Sequence, residues 1–174
     1  MKVFVGCSCS PYVDKIYLEE TRKLGELLCK YNHTLVFGSS DLGMMGEIYN
    51  TYKKNNGHII SVFPVNYSGV LRKVDSELIE VNDPMEQLRT LVDYGDMTII
   101  LPGSFGTNAE LASAIQCKKL GENNKKVIVF NINHFFDEML LALNKPFKEK
   151  FDDCDPTLLY TVVNSVEEIE KYLK

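Results

Sequence analysis

Tryptophan is absent from this chain of 174 residues, histidine occurs only three times, and basic residues are outnumbered, 19 Lys and Arg against 24 Asp and Glu. A net charge of −5 leaves no bulk of positive charge for a nucleic-acid backbone, so no nucleic-acid partner is expected. No stretch reaches the roughly 18 consecutive apolar residues of a membrane span, so no membrane association is expected either. The opening Met1-Lys2-Val3-Phe4-Val5-Gly6 enters a strand pattern without the apolar core and cleavage site of a leader, and a cytoplasmic location is the expectation. His33, His58 and His134 lie far apart, with no H-x-x-x-H pair. The five cysteines (Cys7, Cys9, Cys29, Cys117, Cys154) are odd in number, which argues for reduced thiols. Cys7-Ser8-Cys9 lacks C-x-x-C spacing, so neither a metal nor a redox pair is expected. There is no G-x-S-x-G elbow for a nucleophilic serine. No Gly-Lys-Ser/Thr closes a phosphate loop, and Gly38…Gly43…Gly46 has the wrong interval for a dinucleotide fingerprint. No cofactor is therefore expected.

What is present is ordinary for a globular protein: 45% apolar and 25% charged residues, in a length that fits a single domain over 1–174. The pattern alternates. Strands are expected at Lys2–Val5, Thr34–Phe37, Ile59–Phe63, Leu78–Val81, Met97–Leu101, Val127–Phe130 and Leu159–Val163. Helices are expected at Tyr17–Tyr31, Met44–Asn55, Asp83-capped Pro84 to Tyr94, Thr107–Leu120, Phe135–Leu143 and Val166–Leu173. Asn66–Val74 reads as an irregular, mobile loop. Four strands lack polar alternation, as strands covered on both faces do. Together these features predict an α/β, Rossmann-like doubly wound parallel sheet with helices on both faces. Ligands of such sheets bind beyond the carboxyl ends of the strands.

Glycine and serine gather at those ends. They occur in Gly6-Cys7-Ser8, in Gly38-Ser39-Ser40-Asp41-Leu42-Gly43-Met44-Met45-Gly46, and in Pro102-Gly103-Ser104-Phe105-Gly106-Thr107. Glycine permits close backbone approach, and the N–H groups of a helix start favour an anion, so a phosphorylated ligand is expected. Thr107-Asn108-Ala109-Glu110 admits two readings. It is a capping box between Thr107 and Glu110, or it places a carboxylate one helical turn from a phosphate loop, suited to a cationic sugar centre.

The run Pro102-Gly103-Ser104-Phe105-Gly106-Thr107-Asn108-Ala109-Glu110 resembles the P-G-G-x-G-T-x-x-E signature of the LOG ("Lonely guy") family, whose members are often labelled lysine decarboxylases. Val3-Phe4-Val5-Gly6-Cys7-Ser8, Gly43-Met44-Met45-Gly46 and Gly57–Pro64 are similar to further family segments, in family order. The resemblance implies a Rossmann-like homodimer that hydrolyses nucleoside 5′-monophosphates, cytokinin riboside monophosphates or AMP, to free base and ribose 5-phosphate. It maps the catalytic carboxylate onto Glu110. Substrate and phosphate contacts map onto Gly6, Ser8, Gly38, Ser39, Gly43, Met45, Gly46, Gln87, Gly103, Ser104, Gly106 and Thr107.

One family feature is missing. Ungapped alignment through Asp96 and Pro102 puts Gln87 where the family's catalytic arginine stands, and alignment on Met85 puts Leu88 there. Arg89 is the candidate replacement, although two helical residues turn a side chain by about 200°. The intact Glu110 favours a phosphoribohydrolase. Gln87 favours a nucleotide-binding or sensing module that has lost hydrolysis. A nucleoside deoxyribosyltransferase fits the loops less well, and no residue marks a pyridoxal-phosphate lysine.

Overall fold

Strand and helix alternate along the chain as the apolar pattern requires. A computed structural model describes residues 1–67, 69 and 71–174. The first half contains β1 (Lys2–Gly6), α1 (Lys15–Lys30), β2 (Thr34–Phe37), α2 (Gly43–Lys54), β3 (Ile59–Pro64) and β4 (Glu77–Val81). The second half contains α3 (Pro84–Tyr94), β5 (Met97–Ile100), α4 (Phe105–Lys119), β6 (Lys126–Phe130), α5 (Asp137–Lys148), β7 (Thr161–Val163) and α6 (Val166–Glu170). All seven strands are parallel, in the order β4-β3-β2-β1-β5-β6-β7. The sheet grows outward from β1 in one direction, then α3 carries the chain back to place β5 on the other side of β1. That reversal is the topological switch point, where the crevice of a doubly wound sheet opens.

Successive side chains of a strand face opposite ways, so each inner strand feeds two cores. Val3, Val5, Leu35, Phe37, Met97 and Ile99 pack with Leu24, Leu28, Met44, Ile48 and Ile169, beneath α1, α2 and α6. Phe4, Val36, Ile60, Val62, Ile100, Val127 and Val129 pack with Leu91, Val92, Leu111, Ala114 and Phe136 on the other face, under α3, α4 and the start of α5. Helices therefore cover both faces of one domain, as expected.

Local chemistry sets the helix starts. Asp83 caps α3 by accepting from the N–H groups of Met85 (2.8 Å) and Glu86 (3.0 Å), with Pro84 as the first helical residue. α4 differs from the sequence reading. It begins at Phe105 with Ser104 as N-cap, two residues before Thr107. Thr107 and Glu110 thus stand inside the helix, and the capping box does not form. The helix expected over Phe135–Leu143 starts two residues later and runs further, as α5 (Asp137–Lys148), and a 3-10 turn, Ile132–His134, precedes it. Asn133 and His134 there have positive φ, and the Asn131 carboxamide binds the Phe136 N–H and the Asp137 carboxylate. The strand expected from Leu159 is shortened because Asp155-Pro156 sets a 3-10 turn over Pro156–Leu158. Of the irregular stretch at 66–74, Ser68 and Val70 lie outside the described residues. No helix among the described residues is long and apolar enough to cross a membrane.

Gly43 shows why the second loop needs glycine. Its φ is +57°, and a Cβ there would lie 2.3 Å from the Ser10 carbonyl oxygen. Gly43→Ala is expected to cost about 1–3 kcal/mol through left-handed strain and backbone displacement. Urea unfolding checks this, and an unchanged midpoint would mean that the two loops are not in contact.

Candidate functional site

Three loops meet at the carboxyl edge of the central strands, and one residue joins them. The Ser8 N–H donates to the Pro102 carbonyl (3.1 Å), and the Ser8 carbonyl accepts from the Met45 N–H (3.1 Å). The loop after β1 is thereby tied to the loop after β5 on one side and to the start of α2 on the other. Arg72 N–H to Ser39 carbonyl (3.0 Å) and Ser39 hydroxyl to Arg72 carbonyl (2.5 Å) fasten the segment after β3 to the same edge.

A cavity of about 680 Å³ opens between these loops, α3 and the start of α4. That volume suits a ligand of nucleotide size. Ser8, Ser10, Gly38, Met45, Gln87, Ser104, Gly106, Thr107 and Glu110 line it, with Leu88, Leu91 and Leu71 giving an apolar wall. Among the described residues, no Lys, Arg, His or Asp lines it, and the only carboxyl group there is that of Glu110.

Glu110 projects from the second turn of α4 toward the end of β1. A Cβ on residue 6 would lie 2.5 Å from its Oε2, so Gly6 leaves the space the carboxyl group occupies. Among the described residues nothing pairs with that group. Part of its surface opens onto the cavity, yet burial pushes its pKa up from 4.5 to about 8. Desolvation disfavours the charged form when no cation answers it, and that is the arrangement here. Cys7, beside it, is buried, and both burial and the Glu110 charge raise its thiol pKa. Cys7 is therefore a neutral thiol and no thiolate nucleophile. At the mouth of the cavity α4 begins without a side-chain cap on its N-terminal N–H groups. Those donors and the Ser104 hydroxyl stand at the positive end of a helix of 15 residues.

Of the residues picked from the sequence, Ser8, Gly38, Met45, Gln87, Ser104, Gly106, Thr107 and Glu110 come together on this lining. Gly6, Ser39, Gly43, Gly46 and Gly103 stand behind it. Gly46 lies against the Asp41 carbonyl and Gly103 beneath Thr107. Ser39 is fully buried, with φ +62° and its hydroxyl spent on Arg72. Arg89 is not on the lining. It faces a second cleft between α3 and α4, with Glu86, Asp93, Ser113 and Glu122. The turn of two residues along α3 separates it from Gln87, so within this chain Arg89 does not stand in for an arginine at position 87.

Sequence reasoning passed over Cys9, Pro11, Tyr67, Leu71, Pro84, Met85, Leu88, Leu91 and Ala109, which also line the cavity. Helical spacing from Gln87 would have found Pro84, Leu88 and Leu91. No sequence signal marked Tyr67 or Leu71, which reach the cavity from the irregular stretch.

Comparison with known proteins gives the chain a family and a fold likeness. Residues 45–173 match the family model described as "Possible lysine decarboxylase". A cytokinin riboside 5′-monophosphate phosphoribohydrolase of Arabidopsis thaliana is 29% identical over 178 residues, covering 99% of this chain and 81% of the relative. A rice protein named as a probable enzyme of the same kind is 29% identical over 152 residues, covering 86% of this chain and 67% of the relative. Among solved structures, the molybdenum cofactor binding protein of Rippkaea orientalis superposes with a TM-score of 0.74 at 20% identity, covering 99% of this chain and 94% of that one. At that identity the likeness is one of fold. The match along three quarters of the sequence, with the three loops and Glu110 in place, makes this chain a member of the "Possible lysine decarboxylase" family, the family of the LOG proteins.

Proposed function

We propose that the chain hydrolyses the N-glycosidic bond of a nucleoside 5′-monophosphate, of the cytokinin riboside monophosphate or AMP class. The observation that carries this reading is the unpaired Glu110 carboxyl group, held in the cavity one helical turn inside the uncapped start of α4. A phosphate at Ser104–Thr107 would meet backbone N–H groups and the helix dipole. The ribose would then extend toward Glu110. As the bond from C1′ to the base nitrogen breaks, positive charge grows on the sugar, and the departing base takes up a proton. Water adds at C1′ through its oxygen, gives ribose 5-phosphate, and releases a proton that balances the one taken up by the base. A carboxylate fixed beside C1′ stabilises that charge more than it stabilises the ground state, which is the requirement for catalysis. The relatives named as phosphoribohydrolases support the same reaction class.

The homodimer implied by the family resemblance belongs to the same proposal. Met85 (72% exposed) and Phe105 (89% exposed) flank the mouth of the cavity, and a second copy over them would remove apolar surface from water. Sedimentation at micromolar concentration is expected to give a mass of two chains, and a single-chain mass counts against it.

A second reading rests on one observation: the described residues of the lining include no Lys or Arg, and Gln87 is a neutral amide. A site that binds a nucleotide without cleaving it would look the same. Calorimetry beside chromatography for free base separates the two. Binding without released base makes the protein a nucleotide-binding module.

Glu110→Gln is expected to lower turnover by about 10²-fold or more. In the unmutated protein kcat/KM should rise with pH toward about 8, because deprotonation supplies the active carboxylate. The stability effect has the opposite direction. The folded-state pKa lies above the unfolded value near 4.5, so the proton-bound contribution is complete below that pH and is lost as pH climbs through about 8. Glu110→Gln should therefore melt no lower than the unmutated protein at pH 6 and higher at pH 9. An active Glu110→Gln enzyme with a flat stability difference would remove Glu110 from the mechanism. Gly6→Ala tests the same space: its methyl would displace the carboxyl group, and activity should fall while Glu110 remains present.

A further inference from the structure

Gln87 is a buried amide whose orientation leaves no ambiguity. Its Nε2 donates to the carbonyl oxygens of Val62 (2.8 Å), inside β3, and Gly38 (3.1 Å), just beyond β2. Only the nitrogen of the amide satisfies two carbonyl acceptors, so both N–H bonds are spent on the sheet. The side chain is 8% exposed and lines the cavity. Its Oε1 receives no hydrogen bond from the described residues. It is not a sealed-off atom either, since Asn108 Oδ1 is the only buried side-chain oxygen or nitrogen without a partner among the described residues. Gln87 therefore offers the cavity one group, a carbonyl oxygen held in place by the edge of the sheet.

We infer that Gln87 is a specificity-determining residue, a fixed acceptor that selects nucleotides carrying a hydrogen-bond donor at that wall and holds no part of the phosphate. The inference deepens the phosphoribohydrolase reading and rests on it. An anionic phosphate oxygen is itself an acceptor and would meet Oε1 with repulsion. The phosphate is thus confined to the donors at the start of α4, on the other side of the cavity. The donor that Oε1 receives is either the 2′-hydroxyl of the ribose or the amino group of the base, an O–H or an N–H group of the same ligand class. Cost gives the selectivity. Oε1 gives up its water when the cavity fills, and a ligand without a donor there leaves it unpaired. An arginine at this position would do the reverse, as a donor-only cation.

The experiment measures binding and cleavage of three ligands: AMP, 2′-deoxy-AMP and purine riboside 5′-monophosphate, which lacks the 6-amino group. The protein is expected to prefer AMP by about tenfold or more over one of the two analogues, the scale of one buried hydrogen bond. Weaker handling of the deoxynucleotide assigns the donor to the sugar, and weaker handling of the purine analogue assigns it to the base. Gln87→Met, of similar volume without polar atoms, should bring the preference to near unity, whatever it does to melting temperature. Gln87→Arg should abolish the preference as well, because it presents donors. A preference kept in Gln87→Met alongside a lower melting temperature would make Gln87 only a tie between strands and overturn the inference. Equal handling of all three ligands by the unmutated protein would also overturn it, while leaving the nucleotide reading intact. Failure of all three to bind would overturn both.

Discussion

The peptide units on either side of the Ser8 Cα hold the site together. Ser8 gives its N–H to Pro102 and takes the N–H of Met45 on its carbonyl, so one residue sets the distances among the loops after β1, β2 and β5. That is available only because β1 lies at the centre of the sheet, paired in parallel with both β2 and β5. Moving β1 to any other position would leave at least one of the three loops beyond reach of a single hydrogen bond. The switch point places the cavity there, and Ser8 holds its rim.

Within that frame the chemistry follows from what each wall can afford. The start of α4 presents donors without acceptors, and the Gln87 wall presents an acceptor whose donors are spent. Glu110 stands inside the first turns of α4, in a space that Gly6 leaves open against Ile100, its partner across β1 and β5. Because no cationic side chain among the described residues shares the cavity, Glu110 carries its own desolvation, and its pKa rises to about 8. Ionising it is costly to the fold, and under the proposed hydrolysis that charge would serve a cationic transition state, the usual trade between stability and activity at a reactive group.

Much of the architecture was legible in the chain. Apolar runs without alternation marked the inner strands, and Asp83-Pro84 marked the start of α3. Glycine and serine clusters after the strands marked the three loops. The misread places share a cause: they depend on a contact outside the local window. The helix was expected to start at Thr107, but Pro102 bonds back to Ser8 and α4 starts at Phe105, which of the two readings of T-x-x-E leaves the pocket carboxylate and not the cap. Ser39 was read as a ligand contact, and its hydroxyl is committed to Arg72, a partner 33 residues away in sequence.

By itself the sequence determined the class of fold and the edge of the sheet that carries the loops, and the likeness of residues 102–110 to the LOG signature singled out Glu110. The first two follow from periodicity and turn chemistry, which act over a few residues. Only the tertiary structure decided which way each side chain faces once the elements pack. Gln87 and Arg89 are two residues apart, and α3 sends one into the cavity and the other into the cleft behind it. The reason is geometric. A helix turns about 100° per residue, so the face that meets the sheet is fixed by packing against β2 and β3, and from a single sequence that face cannot be told from its neighbours.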